Sequence, residues 1–157
     1  MDIHLGCEPK NNPIIDKKRK DMTLNEELAK NSRFVTDLPL CEVRIQNEAR
    51  FPWILLVPKR DNIEEIIDLS VEDQEQLLKE LRMASKVMQE AFNADKLNVG
   101  ALGNIVRQLH VHVIARYETD LAWPNPVWGY FELSTQYGAD ALERRITLIK
   151  DAFEKQL

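Results

Sequence analysis

Gln108-Leu109-His110-Val111-His112-Val113-Ile114 alternates polar and apolar residues up to its last position. A period of two marks a β-strand whose two faces differ. Gln108, His110 and His112 then project from one face, and Leu109, Val111 and Val113 from the other. The chain holds three histidines, and two of them stand on that polar face. Imidazoles set directly above an apolar backing mark a place for chemistry.

Immediately upstream, Leu97-Asn98-Val99-Gly100-Ala101-Leu102-Gly103-Asn104 supplies glycines for a close turn into the strand. No acidic residue occurs from Lys96 to Tyr117, and Lys96, Arg107 and Arg116 make the window locally basic. An anion is expected to sit here.

Beyond this window, 157 residues are enough for one domain with a real core. A hydrophobic content of 44% and a charged content of 30% are ordinary for a soluble globular protein. A net charge of −5 argues against general binding of nucleic-acid polymers but leaves room for a small anionic ligand. Cys7 and Cys41 cannot build a disulfide framework, so a reducing cytoplasmic setting is expected. No apolar run approaches the ~18 residues of a membrane helix, and no segment of signal-peptide type opens the chain. No membrane partner is expected.

Residues 1–21 lack a periodic apolar pattern and contain the basic run Lys17-Lys18-Arg19-Lys20. They read as a solvated, disordered tail ahead of a single domain over residues 22–157. Thr23-Leu24-Asn25-Glu26 has the spacing of a capping box and predicts a short helix to about Lys30. Leu40 to Gln46 alternates, with Cys41, Val43 and Ile45 on one face, and Trp53 to Val57 is a continuous apolar run stopped by Pro58. Joined by the turn 47–52, they predict an antiparallel hairpin in which Cys41 is core.

Ser70 with acids at 72 and 73 predicts the start of a long helix ending near Asn93. Leu77, Leu81, Ala84, Met88 and Ala91 form its apolar stripe, widened by Leu78 and Phe92. Later strands are expected over Lys96–Gly100 and Arg107–Arg116. The segment 120–129, with Pro124 and Pro126, is not helical. Leu142, Ile146, Ile149 and Phe153 predict a C-terminal helix from about Ala139. Hairpin, helix, strands and helix make an α+β domain built on an antiparallel sheet.

The residues alone leave three readings of His110 and His112. They could be hydrogen-bonded structural groups. They could be two ligands of a metal, although zinc wants a third ligand and the remaining histidine is His4, in the tail. Or a neutral imidazole could attack phosphorus, its other nitrogen held protonated by a partner while a second imidazole stabilises charge.

The same stretch resembles the histidine triad (HIT) motif, in which three histidines alternate with apolar residues, with Gln108 in the first histidine's place. The likeness extends over roughly residues 34–130, through the hairpin, the central helix and Asn98 to Trp128. Gly103-Asn104 to Arg116, followed by Ala122-Trp123-Pro124, is similar to a bacterial, diadenosine tetraphosphate hydrolase-like branch that carries this glutamine.

The resemblance implies a HIT-like fold and a metal-independent nucleotide hydrolase or transferase with no cofactor. Its substrate would be a dinucleoside polyphosphate or a nucleoside phosphoramidate, cleaved at the α-phosphate through a nucleotidyl-histidine. By motif position His110 is the nucleophile, His112 contacts the phosphate and assists the leaving group, and Gln108 orients neighbours. Asn104 and Asn98 match phosphate-side positions, and Asn47 is a candidate for the ribose. Trp123, read from its own place in a proline-stiffened loop just past the strand, is a candidate wall of the pocket or else an anchor packed on its own subunit. A homodimer is also implied.

One further departure is Ile105, where the family often has a hydroxyl residue. Two alternatives accompany the enzyme: a nucleotide-binding module with little turnover, and a metal-binding protein using the histidine pair.

Overall fold

A computed structural model describes residues 22–157. The expectations for the tail, including Cys7, His4 and the basic run, lie outside the described residues.

The chain begins with helix α1, Glu26–Asn31. Its cap is Asn25, whose Oδ1 accepts the backbone N–H of Glu27 at 2.8 Å, and not Thr23, two residues earlier. An asparagine oxygen satisfies one of the free N–H groups at a helix start, which fixes where the helix begins. Strand β1, Ser32–Asp37, follows at once. Nothing in the sequence pattern announced it, because a bulge between Phe34 and Thr36 breaks its pairing with β2. Its buried residues, Ser32 and Val35, are therefore three apart.

Strands β2, Cys41–Gln46, and β3, Trp53–Pro58, form the expected antiparallel hairpin, with Ile45 opposite Ile54. Cys41, Val43 and Ile45 are fully buried on one face of β2. Helix α2, Val71–Phe92, starts at Ser70, whose Oγ accepts the N–H of Asp73, and ends where Asn93 turns left-handed at φ 47°. Leu77, Ala84, Val87 and Met88 are its buried stripe, whereas Leu78 is 67% exposed and does not widen it. Strands β4, Lys96–Gly100, and β5, Val111–Arg116, and helix α3, Ala139–Glu154, complete the fold.

The five strands lie in the order β1-β2-β3-β5-β4, every neighbouring pair antiparallel. One sheet face packs with α2 and α3 into the main core, to which Val43, Ile54, Val111, Val113, Met88, Ile149 and Phe153 contribute. This is the α+β, HIT-like architecture expected, with its C-terminal helix. Within that core Glu80 of α2 accepts the backbone N–H groups of Leu40 and Cys41 at 2.7 and 2.8 Å, tying the helix to the start of β2. Among the described residues no helix is long and apolar enough to cross a membrane.

Candidate active site

Strand β5 begins at Val111, three residues later than Gln108, so the regular pleat covers only the end of the histidine stretch. His110 and His112 nevertheless share a face, with ring centroids 4.9 Å apart, and each is less than a tenth exposed. They line a cleft of about 520 Å³ on the sheet face opposite the main core.

Each imidazole has one nitrogen committed by a neighbour. Nδ1 of His110 lies 2.6 Å from the backbone carbonyl of Gln108. A carbonyl only accepts, so Nδ1 carries the proton and Nε2 keeps its lone pair. Nδ1 of His112 accepts the indole N–H of Trp53 at 2.9 Å, so the ring proton of His112 resides on Nε2. Burial, and then the neighbouring His110, push the His112 pKa down to about 3. His112 is therefore neutral at pH 7. The pair presents one lone pair and one N–H.

Trp53 carried no signal in isolation. It pairs with Ile114 across the β3–β5 ladder, while Leu55 pairs with His112. Trp53 is thus the diagonal neighbour of His112, within reach of a long side chain. Trp128 closes the other side, its ring edge-on to His112 at 5.5 Å. Gly100 makes room for it: a Cβ there would stand 3.2 Å from the indole Cη2.

The remaining sequence-predicted residues divide. Asn104 lines the cleft and also an adjoining cavity of about 200 Å³. Gln108 presents its backbone to His110 but its side chain elsewhere: Oε1 accepts the N–H of Asn25 at 2.8 Å and Nε2 donates to Thr23 O at 3.3 Å. Asn98 Oδ1 accepts from Arg116 at 2.8 Å, and Asn47 Oδ1 accepts the N–H of Tyr137 at 3.0 Å. The Trp123 N–H donates to Asp120, and the Arg116 guanidinium lies 5.6 Å from its ring. Gln108, Asn98, Asn47 and Trp123 do not line the cleft.

The basic window does not make the anion site as expected. Arg116 is buried and bound in two bonds to Asp120, Arg107 pairs with Glu64 at 3.0 Å, and Lys96 donates to its neighbour's carbonyl, Leu97 O. The cleft's own cation is Arg50, which the sequence reading did not single out. Its guanidinium clasps Glu48 through two bonds of 2.8 Å, donates to Leu133 O and lies 3.6 Å over the Phe131 ring. Among the described residues no three His, Cys or carboxylate groups converge to hold a metal.

A model of the HIT domain matches residues 27–119. The chain is similar in structure to a histidine triad protein of Sinorhizobium meliloti, at 41% identity over 83% of this chain and 96% of that one, with a TM-score of 0.80. A histidine triad protein of Marinobacter aquaeolei gives 38% identity, 86% and 98% coverage and a TM-score of 0.82. One from Bradyrhizobium japonicum gives 40% identity, 83% and 97% coverage and a TM-score of 0.80. No curated protein matches the chain. The domain match and these three likenesses agree with the paired histidines at the start of β5 and with the cleft they line: the chain belongs to the histidine triad family, and that membership points to nucleotide binding with hydrolase or transferase activity.

Proposed function

We propose that residues 22–157 act as one HIT-like domain that cleaves a nucleotide at its α-phosphate through a covalent intermediate on His110. The substrate is a dinucleoside polyphosphate or a nucleoside phosphoramidate, as in the bacterial diadenosine tetraphosphate hydrolase-like branch with glutamine at the first motif position. The observation that carries this reading is the opposite tautomers of the two imidazoles, set by the Gln108 carbonyl and the Trp53 indole.

In the first step the Nε2 lone pair of His110 forms a bond to the α-phosphorus. The bond from phosphorus to the leaving oxygen or nitrogen breaks, and its electron pair departs with the leaving group. An amine leaving group takes its proton from solvent. The positive charge that develops on the His110 ring is stabilised by the Gln108 carbonyl, which accepts from Nδ1–H. His112 stays neutral and donates Nε2–H to a phosphoryl oxygen as charge develops there. Asn104, which also lines the cleft, is assigned to the same group. In the second step water attacks phosphorus and gives up a proton to solvent, the P–Nε2 bond breaks, and its electron pair returns to His110 as the Nε2 lone pair.

Asn98, Asn47 and Trp123 then serve through the segments they brace, without touching substrate. Ile105, 94% exposed at the cleft, offers no hydroxyl to the leaving group. The assembly in this proposal is a homodimer, to be checked by sedimentation.

The mechanism is tested by rapid mixing with adenylylated and guanylylated substrates at neutral pH, followed by denaturing mass spectrometry. A nucleotide-mass adduct on His110, acid-labile as a phosphoramidate is, supports it. His110→Ala should lose both the adduct and turnover, and full activity in that variant would end the proposal.

A further inference from the structure

The cleft runs on past the histidines toward β2 and α1. Gln46, at the end of β2, lines it together with Glu27 and Asn31, which stand one turn apart on α1. Because β3 lies between β2 and β5, Gln46 is two strand spacings, about 10 Å, from the histidine strand. That is close to the reach of a nucleotide from its α-phosphorus to its base. Leu28, packed with Trp53 and Val106, provides an apolar floor nearby. With the phosphorus at His110, as the proposed function has it, the base lies against Glu27, Asn31 and Gln46.

Glu27 brings the negative charge to this group of lining residues. An ionised carboxylate only accepts, and among the described residues it holds a single long bond, from Asn31 Nδ2 at 3.4 Å. Guanine presents two adjacent donors, N1–H and the 2-amino group, beside the acceptor O6. A carboxylate takes both donors, and an amide N–H of Asn31 or Gln46 takes O6. Adenine places a lone pair on N1 where guanine has a proton, so the same carboxylate meets a lone pair and stays unpaired. Cytosine repeats that conflict at N3, and uracil offers a single N–H. We infer that the α1 side of the cleft is a guanine-reading subsite in which Glu27 is the selecting residue. Its placement is coupled to the catalytic strand, because Gln108 Oε1 holds the N–H of Asn25, the cap of α1.

The test is calorimetric titration of the full chain with guanosine, inosine and adenosine 5′-monophosphates. Guanosine monophosphate should bind at least tenfold tighter than adenosine monophosphate, as expected of bonds to a charged acceptor. Inosine monophosphate, which lacks the 2-amino group, should fall between them. Glu27→Gln should weaken guanosine monophosphate roughly ten- to a hundredfold and leave adenosine monophosphate no weaker. The variant should melt as the wild type does, since the Asn25 cap uses the backbone N–H of Glu27. Equal affinities in the wild type would overturn the guanine subsite while sparing the nucleotide reading. Equal weakening of both ligands by Glu27→Gln would also overturn it, by moving the carboxylate to the shared ribose. Binding of none of the three would overturn the nucleotide reading and this subsite with it.

Discussion

The indole N–H of Trp53 meets Nδ1 of His112 at 2.9 Å, so a tryptophan on β3 decides which nitrogen of a β5 histidine faces the cleft. Trp53→Phe keeps an aromatic ring at this position but removes the donor, leaving Nδ1 free to take the proton. The share of His112 with Nε2–H then falls, and kcat should drop about tenfold, the scale of one lost hydrogen bond, with KM little changed. Nitrogen-15 spectra of the ring would show mixed tautomers. An unchanged kcat with a single tautomer would contradict the assignment.

Gln108 has a different job from its neighbours on the motif. Both ends of its amide hold the backbone at Thr23 and Asn25, ahead of α1. Gln108→Ala should therefore cost about 1 kcal/mol of stability and raise KM as α1 loosens, with covalent labelling of His110 still present. Chemical denaturation and steady-state kinetics check the two parts. Loss of labelling would place the amide in the chemical step instead.

The depressed His112 pKa has a consequence for stability. In the unfolded chain this imidazole titrates near its ordinary value of 6.5, and in the folded protein near 3. Between those values the unfolded state binds more protons, so stability falls as pH is lowered through that window and is fully present above it. Melting temperatures measured from pH 7 to pH 3 should decline, and His112→Gln, which still offers Trp53 an acceptor, should decline less. Parallel curves would show that His112 is not the group responsible.

Glu80 joins α2 to the β1–β2 turn from inside the core, with a side chain almost fully buried. Glu80→Ala would strand the N–H groups of Leu40 and Cys41 without partners, at a cost of about 2 kcal/mol or more. Glu80→Gln keeps one acceptor and should cost less. Urea titration measures both, and an alanine variant as stable as the wild type would refute the account.

Much of this was legible because alternation and helical stripes are local. The β2–β3 hairpin, α2, α3 and the pairing of His110 with His112 on one face follow from spacings of a few residues. What failed was set by partners far along the chain. The bulge at Phe34–Thr36 hid β1, since an extra residue destroys the period by which strands are recognised. Asn25 outcompeted Thr23 as the cap, with its own N–H already taken by Gln108, more than eighty residues away in sequence. The basic window lost its meaning on folding, because Asp120 and Glu64 each claimed an arginine from outside it. Trp53 and Glu27 became visible as cleft residues only when β3 and α1 were placed beside β5.

The β1 bulge also makes the two borders of the sheet unlike each other. A sheet's outermost strands expose unpaired N–H and C=O groups, a template onto which another chain can stitch. On β1 the extra residue throws that row out of step, so an incoming strand cannot follow it. At the opposite border, β4 keeps continuous register with β5 from Lys96 to Gly100 and shows Val99 to solvent. Of the two borders, the one on β4 is therefore the one whose backbone keeps a regular spacing.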